Sequence, residues 1–352
     1  MPHKVNSLKS MAVTLKQVSQ HAKVAAGTVS RVINQHPNVD AALRERVEKA
    51  IRDLNYRPNA RAQIFVRNAS PIISFILSNR SFLHPLHSRI LQGVEAHCEE
   101  AGHFVLFTRF SYQPETAPGE LRLPGVLRSH GIADSVILAG TNYQNFTEAL
   151  DELSAKYVML ANNFVSATPR PPFDQVRFND DAGAFEATRH LIELGHKDIW
   201  YIGDTALPWY HARHVAYVRA MEQAGLKPCA QTVALSDDYF QNGLASARMI
   251  LDGKRPVTAI FAGTDELAFG VWEGLRQRSL EVPRDISLIG FDNHSGAHKL
   301  PQLTSVSVDA EEVGKQLAIL AISKLRQDCR PMPEVVIPAT LVKRETCLPL
   351  LK

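Results

Sequence analysis

Residues 14–34 read "TLKQVSQHAKVAAGTVSRVIN", and two short helices joined by a tight step can be read from them directly. Thr14 and Gln17 stand at capping-box spacing, where the hydroxyl takes an amide of the first turn and the Gln side chain reaches back. Leu15, Val18 and Ala22 then share one helical face. The "KV" step at 23–24 leads into "AAGTVSRVIN" (25–34), whose Val29, Val32 and Ile33 point inward. Asp40 is a good N-cap for a third helix, in which Leu43, Val47, Ala50, Ile51 and Leu54 keep helical spacing. Pro58 breaks the chain beyond it, and "NARAQIFVRN" (59–68) follows, basic with an apolar centre and some helical potential. The pattern is that of a helix-turn-helix.

Charge sets this segment apart. Residues 1–69 hold twelve Lys and Arg against four acids, a net +8, so the remaining 283 residues of the 352 carry −5 within an overall +3. A basic head on a mildly acidic body implies that the head alone meets a polyanion.

From residue 71 the texture changes. Apolar runs "PIISFIL" (71–77), "HFVLFT" (103–108), "SVILAG" (135–140) and "YVMLAN" (157–162) alternate with helical stretches at 86–101, 121–130 and 145–154. A second series, "VRFND" (176–180), "IWYIGD" (199–204), "TVAL" (232–235), "TAIFAG" (258–263) and "ISLIGFD" (286–292), alternates with 182–194, 210–224, 242–252 and 265–279. Repeated β–α alternation implies doubly wound parallel sheets with crossover helices, here in two subdomains. The Pro-rich stretch 160–180 is expected to cross between them. Cys98, Cys229, Cys329 and Cys347 show no metal spacing and read as thiols of a reducing compartment. The N-terminus has no apolar core for a signal peptide, and no run of about 18 apolar residues appears. A cytoplasmic protein that neither spans nor binds a membrane is expected.

Nine blocks then carry a resemblance: "TVSRVIN" (28–34), "HPNV" (36–39), "RERV" (44–47), "NYRPNA" (55–60), "ATRHLIELGHKDIWYIG" (187–203), "AIFAGTDELAFG" (259–270), "VPRDISLIGFDN" (282–293), "LTSVSVD" (303–309) and "LVKRET" (341–346). In this order and spacing the chain resembles the lactose/galactose repressor (LacI/GalR) family of bacterial transcription regulators, from Thr14 to about Thr346. The resemblance implies a small all-α helix-turn-helix head, joined by a hinge helix to a two-lobed α/β body like periplasmic sugar-binding proteins. It places an N-terminal tail at 1–13, the head at 14–57 and the hinge helix at 58–69. The N-terminal effector subdomain takes 70–173 and 309–337, and the C-terminal one 174–308 and 338–352.

In such a head the second helix lies in the DNA major groove and its early residues meet base edges. Carried over by position, the base-contacting residues are Ala26, Gly27 and Arg31. Arg31 can donate two hydrogen bonds to guanine O6 and N7. Ala26 can at most pack against a thymine methyl, and Gly27 can only let the backbone approach the groove. Thr14, Thr28 and Asn34 match phosphate-contacting positions, which fix register without reading sequence. Tyr56 joins the DNA-binding set, and Asn59 caps the hinge helix. Phe65 falls where the family inserts an apolar wedge, usually Leu, into the minor groove. "IFV" (64–66) has the alternative reading of a buried start to the first strand. Gln63 replaces a usual Arg.

For the effector pocket, Arg213 and Asp292 fall on the family's ligand-binding Arg and Asp, with Asp292 at a strand's C-terminal end. The alternative for both is a structural ion pair. Ser78 and Phe82 follow the first strand, where the family lines its cleft. Thr264 and Ala161 occupy positions often filled by Asn and Asp, and Asn162 stands beside Ala161 as a substitute. Tyr239 or Phe240 is a candidate for stacking on a ligand ring. His84, His87, His211 and His214 read as structural or solvated, with effector contact by one of them as the alternative.

The function so implied is a sequence-specific DNA-binding transcriptional regulator, a repressor, controlled allosterically by a small sugar-like effector bound between the lobes. Its partners are double-stranded DNA bearing a pseudo-palindromic operator, that effector, and a second copy in a homodimer. No heptad-patterned tail follows "LVKRET", so a dimer is expected rather than a tetramer. No cofactor or metal is called for. A stand-alone sugar-binding protein would need an export signal and no basic head. An α/β enzyme would need a nucleophile, phosphate-binding or metal motif, and none is present.

Overall fold

The computed structural model describes residues 13–33, 36–56, 72–80, 84–129, 132–168, 174–231, 238–293, 302–326 and 330–350. The expectations for Asn34, the hinge segment with Asn59, Gln63 and Phe65, Phe82, and the strand "TVAL" fall outside these residues. The chain divides into two compact units, Met1–Ala69 and Ser70–Lys352.

The first unit contains α1 (Leu15–Ala22), α2 (Ala26–Ile33) and α3 (Ala41–Asp53). The capping box forms as read: Gln17 N donates to Thr14 Oγ1 at 3.3 Å and Thr14 N donates to Gln17 Oε1 at 2.7 Å. Lys23 closes α1 in the left-handed region, φ +53°. Arg46, from α3, donates to the carbonyls of Ala22 and Lys23 at 2.7 and 3.1 Å. A basic side chain thereby satisfies orphan carbonyls at a helix C-terminus and pins α3 to the turn. Val18, Ala22, Val29, Val32, Val47 and Ala50 bury together beneath Tyr56. Three helices of this length are stable only through such a shared apolar face.

The second unit begins β1 (Ile72–Ser78), α4 (Pro85–Glu100), β2 (Phe104–Phe110), a 3-10 turn (Pro118–Glu120), α5 (Gly125–Arg128) and β3 (Ser135–Gly140). It continues β4 (Asn142–Tyr143), α6 (Gln144–Glu152), β5 (Tyr157–Leu160), a 3-10 turn (Ala161–Asn163), β6 (Phe164–Val165) and β7 (Gln175–Phe178). Then come α7 (Asp180–Glu193), β8 (Ile199–Ile202), α8 (Pro208–Gln223), β9 (Cys229–Gln231), α9 (Tyr239–Asp252), β10 (Ala259–Ala262) and α10 (Asp265–Gln277). It ends β11 (Ser287–Asp292), β12 (Thr304–Val308), α11 (Ala310–Ser323), β13 (Val335–Ile337) and β14 (Ala339–Val342).

Two six-stranded sheets result, ordered β13-β7-β5-β3-β1-β2 and β14-β12-β11-β10-β8-β9. Strands such as β3, β10 and β11 are buried along their whole length, as parallel strands covered on both faces must be. The first sheet is parallel throughout. In the second, β14 runs antiparallel to β12 at the edge.

Three expectations need correction. The strand at 175–178 belongs to the first sheet, where it pairs with β13 and β5, so the change of lobe falls after Phe178 rather than at 173/174. The expected helix over 121–130 shrinks to Gly125–Arg128. Pro118 and Pro124 lack a donor and push their predecessors toward extended backbone, which breaks the helix there. Tyr56, assigned to DNA contact, has its ring packed into the head core at 9% exposure.

The chain passes between the lobes three times, each time through one residue. Asn179 separates β7 from α7, Asp309 separates β12 from α11, and Pro338 separates β13 from β14. Asn179 and Asp309 are also N-caps, accepting from Ala182 N at 3.1 Å and Glu312 N at 3.0 Å. No described helix is long and apolar enough to cross a membrane.

Gly27 has open space around it: a Cβ built there meets nothing within 4 Å. The head's own packing therefore does not require glycine. Gly27→Ala should raise the thermal stability of the head by up to about 1 kcal/mol, read from its own unfolding transition.

Candidate functional site

On the head, Ala26, Gly27 and Arg31 are exposed on α2, while Val29 and Val32 of the same helix are buried. Arg31 sits one turn beyond Gly27 with its guanidinium in solvent. Thr14 is exposed and is spent on the α1 cap. Thr28 is half-buried near the start of α2. The open face of α2 thus offers one long donor and two minimal side chains.

In the body, a cleft opens at the carboxyl ends of the strands. Arg213, on α8, lines it at 2% exposure. Its Nε donates to Asp180 Oδ1 at 2.7 Å, its Nη1 to the Gly263 carbonyl, and its Nη2 lies 3.6 Å from Asp292 Oδ1. The guanidinium carbon stands 3.6 Å from the Phe291 ring centroid, in cation–π contact. Burial works against its charge, but Asp180 and then Asp292 more than offset this and hold the pKa above the ordinary value.

Asp292 ends β11 with φ +101°, a strained value for a residue with a side chain. The next residue, Asn293, is anchored on three sides: its N–H donates to Ser305 Oγ at 3.1 Å, its amide to Ser307 Oγ at 3.0 Å, and it accepts from Arg344 at 2.7 Å. These contacts fix the turn and hold the carboxylate in the cleft. Burial raises the pKa of Asp292 to about 6, with Arg213 pulling the other way. At 3.6 Å the guanidinium is too far to hydrogen-bond, and Asp292 Oδ1 has no hydrogen-bond partner among the described residues.

The first lobe supplies Arg80, His84, His87 and Asn163 to the same cleft. The Arg80 guanidinium lies 4.9 Å from the Trp209 ring centroid and 5.6 Å from that of Tyr239, whose hydroxyl it also contacts. His84 caps α4, its Nδ1 accepting from Leu86 N at 3.3 Å, so Nε2 carries the proton and donates to Glu266 Oε2 at 3.1 Å. Glu266 sits on α10 of the other lobe, so this pair bridges the cleft. His87 Nε2 accepts from the Asn163 amide at 3.2 Å, leaving its Nδ1 proton without a partner among the described residues. Burial, then Arg80 and His84, keep the His87 pKa well below its ordinary value, so the ring is neutral.

Thr264 lines the cleft and caps α10, accepting from Leu267 N at 3.3 Å. Gly203 and Gly263 pack on the Tyr210 ring, which a Cβ at either would meet at 2.7 or 2.6 Å. The remaining space is small, about 30 Å³, room for a water or two.

Of the residues expected from the sequence, Arg213, Asp292 and Thr264 come together, and Tyr239 joins them. Two do not. Asn162 spends its side chain on the Phe178 backbone, at 2.8 and 3.0 Å, and on Asp180 Oδ2 at 2.7 Å, so its neighbour Asn163 faces the cleft instead. Ser78 is fully buried at the end of β1 and does not line the cleft. Of the four histidines for which effector contact was the alternative reading, His84 and His87 line the cleft. Arg80, Trp209 and Asn163 were missed; the signal that could have found Arg80 is its place just past the first strand, where open α/β sheets bind ligands.

Residues 14–59 match the model of the bacterial regulatory proteins, lacI family, and residues 188–347 match a periplasmic binding protein-like domain. The HTH-type transcriptional repressor CytR of Escherichia coli (strain K12) is 30% identical over 317 residues, 90% of each chain. This chain belongs to the lacI family of bacterial regulatory proteins. Among solved structures, a complex of the transcriptional regulator CelR with cellobiose aligns with a TM-score of 0.69 at 26% identity, covering 95% of this chain and 99% of that one. The Lac repressor dimer bound to operator and the anti-inducer ONPF aligns at 0.75 with 23% identity, over 96% and 100%. The lacI family is made of transcription regulators, and this member is a DNA-binding regulator under ligand control.

Arg213→Ala would leave Asp180 and Asp292 buried without their counter-charge. Removing one partner of such a network costs about 3–5 kcal/mol, so the body's unfolding midpoint in urea should fall sharply. An unchanged midpoint would mean that the network contributes nothing to the fold.

Proposed function

We propose that the protein is a homodimeric repressor that acts in the cytoplasm on a pseudo-palindromic operator and has no catalytic role. In this reading Arg31 is the principal base reader, Ala26 and Gly27 let α2 approach the groove, and Thr14, Thr28 and Asn34 meet phosphates. Tyr56 supports α2 and α3 from within the head core. Asn59 and Phe65 act at the hinge, Asn59 as its cap and Phe65 as a minor-groove wedge. Exposed apolar side chains on the edge strand β2, Phe104, Leu106 and Phe107, support a second copy as partner.

The effector is a polyhydroxylated small molecule. The observation that carries this is the buried Asp292 oxygen without a hydrogen-bond donor, since a buried acceptor gains most from a ligand hydroxyl. His87 Nδ1 offers a donor across the same cleft. Phe82, and Asn163 in place of Asn162, complete the proposed lining. A ligand that favours one lobe arrangement shifts operator affinity by a coupling free energy of roughly 1–3 kcal/mol.

Selection from random duplexes should return a pseudo-palindrome whose affinity falls steeply with salt, and recovery of no sequence would end the repressor reading. Arg31→Ala should relax preference at one symmetric guanine, whereas uniform weakening across sequences would make Arg31 a phosphate contact. Effector affinity should also depend on pH. The acceptor is the carboxylate form of Asp292, so binding is full above about pH 6 and drops about tenfold per unit below it. Asp292→Asn should flatten that profile in titration calorimetry.

A further inference from the structure

A second cavity lies beside the cleft and shares Arg80 with it. It holds about 720 Å³ and is formed by Asn79 and Arg80 after β1, Arg109 to Gln113 at the end of β2, Glu120 to Arg122 from the end of the 3-10 turn onward, and Tyr143 of β4. In the first sheet β1 has β2 on one side and β3 on the other, so the chain reverses its direction of winding there. The carboxyl ends of strands at such a reversal form the crevice where open α/β sheets bind ligands. A cavity of this size suits a small molecule, against about 300–1,000 Å³ for ligand pockets. The inner cleft has about 30 Å³ of open space.

The lining is electropositive. It contains three guanidiniums, Arg80, Arg109 and Arg122, and one carboxylate, Glu120. Among the described residues none of the three arginines lies within 4 Å of a carboxylate, while Arg89, Arg177 and Arg219 of the same body are all paired. Arg80 Nε is buried and has no hydrogen-bond partner among the described residues. The floor is aromatic: Phe110 stacks on Tyr112 at 4.8 Å, and Tyr143 meets Tyr112 edge-on at 6.1 Å. Planar guanidiniums without counter-ions around an apolar floor suit a phosphate or carboxylate, which each can hold through paired hydrogen bonds.

We propose that this groove binds an anionic group, phosphate or carboxylate, and that the effector is therefore an acidic carbohydrate rather than a neutral one. The second half rests on the effector reading above: hydroxyls on Asp292 and the anion on Arg109 and Arg122, with Arg80 between them. Arg80 now lies over Trp209 and Tyr239 within the inner cleft. Drawn toward an anion, it frees those two ring faces for the carbohydrate.

The groove can be tested without knowing the effector. Inorganic pyrophosphate is titrated into the full-length protein by calorimetry at low salt, alongside the Arg109→Gln/Arg122→Gln double variant and Asp292→Asn. Both arginines are exposed, and operator binding by the double variant serves as the check that it folds. The expected result is a wild-type isotherm with one site per chain, weakened at least tenfold in the double variant and retained in Asp292→Asn. Equal binding by wild type and double variant would place the anion on the basic head and overturn the proposal, as would no binding to wild type. Loss of binding in Asp292→Asn would place it in the inner cleft, with the same consequence. Failure of the effector reading has its own signature: pyrophosphate binding follows the arginines, but matched neutral and acidic sugars show no dependence on Asp292.

Discussion

A guanidinium with 2% exposure has to be neutralised where it stands, and the body is arranged around that requirement at Arg213. Asp180 meets it from the start of α7, the Gly263 carbonyl from the end of β10, and Asp292 from the end of β11. Asn162 in turn holds Asp180 and the backbone of β7. One side chain on α8 thus gathers the ends of three other elements, and the turn from β7 to α7 is also where the chain changes lobe. The cleft is a by-product of this arrangement. Two carboxylates crowd one guanidinium, geometry lets only one of them bond closely, and the other keeps an acceptor to offer.

The head solves a smaller problem with comparable economy. Its apolar core fills one face of each helix, and Tyr56 caps that core. The basic excess is not all available to DNA, because Arg46 is consumed at the carbonyl end of α1 and Arg44 donates to the His36 carbonyl at 2.9 Å. What remains on α2 is a face almost without side chains apart from Arg31.

Much of this was legible in the chain. The α1 capping box depends on residues three apart, and the buried strands are continuous apolar runs, so local pattern suffices for both. Sheet membership does not have that property. "QVRF" at 175–178 looks like the start of the second β–α series, but its partners are 159–160 and 335–337, and only those pairings assign it to the first lobe. The helix expected at 121–130 failed on prolines visible in the sequence. At the site, Arg213, Thr264 and Asp292 stand in motifs, whereas Arg80 and His84 follow β1 in a stretch with no periodicity. Asn162 and Asn163 differ by one residue in a 3-10 turn, and which of them faces the cleft is decided by a backbone geometry that composition does not encode.

The three one-residue passages between the lobes have a mechanical consequence. Asn179, Asp309 and Pro338 leave almost no slack, and Asn179 N is itself bonded to the Ile337 carbonyl at 2.9 Å, which ties two of the passages together. Two of these residues are also helix N-caps, so a change in their dihedral angles swings a whole helix. Separation of the lobes by translation would tear three connections at once. Rotation of one lobe against the other needs only a few backbone angles at these residues to change. The body therefore has essentially one soft degree of freedom, and any molecule that props open or draws shut the cleft must express its binding as a twist.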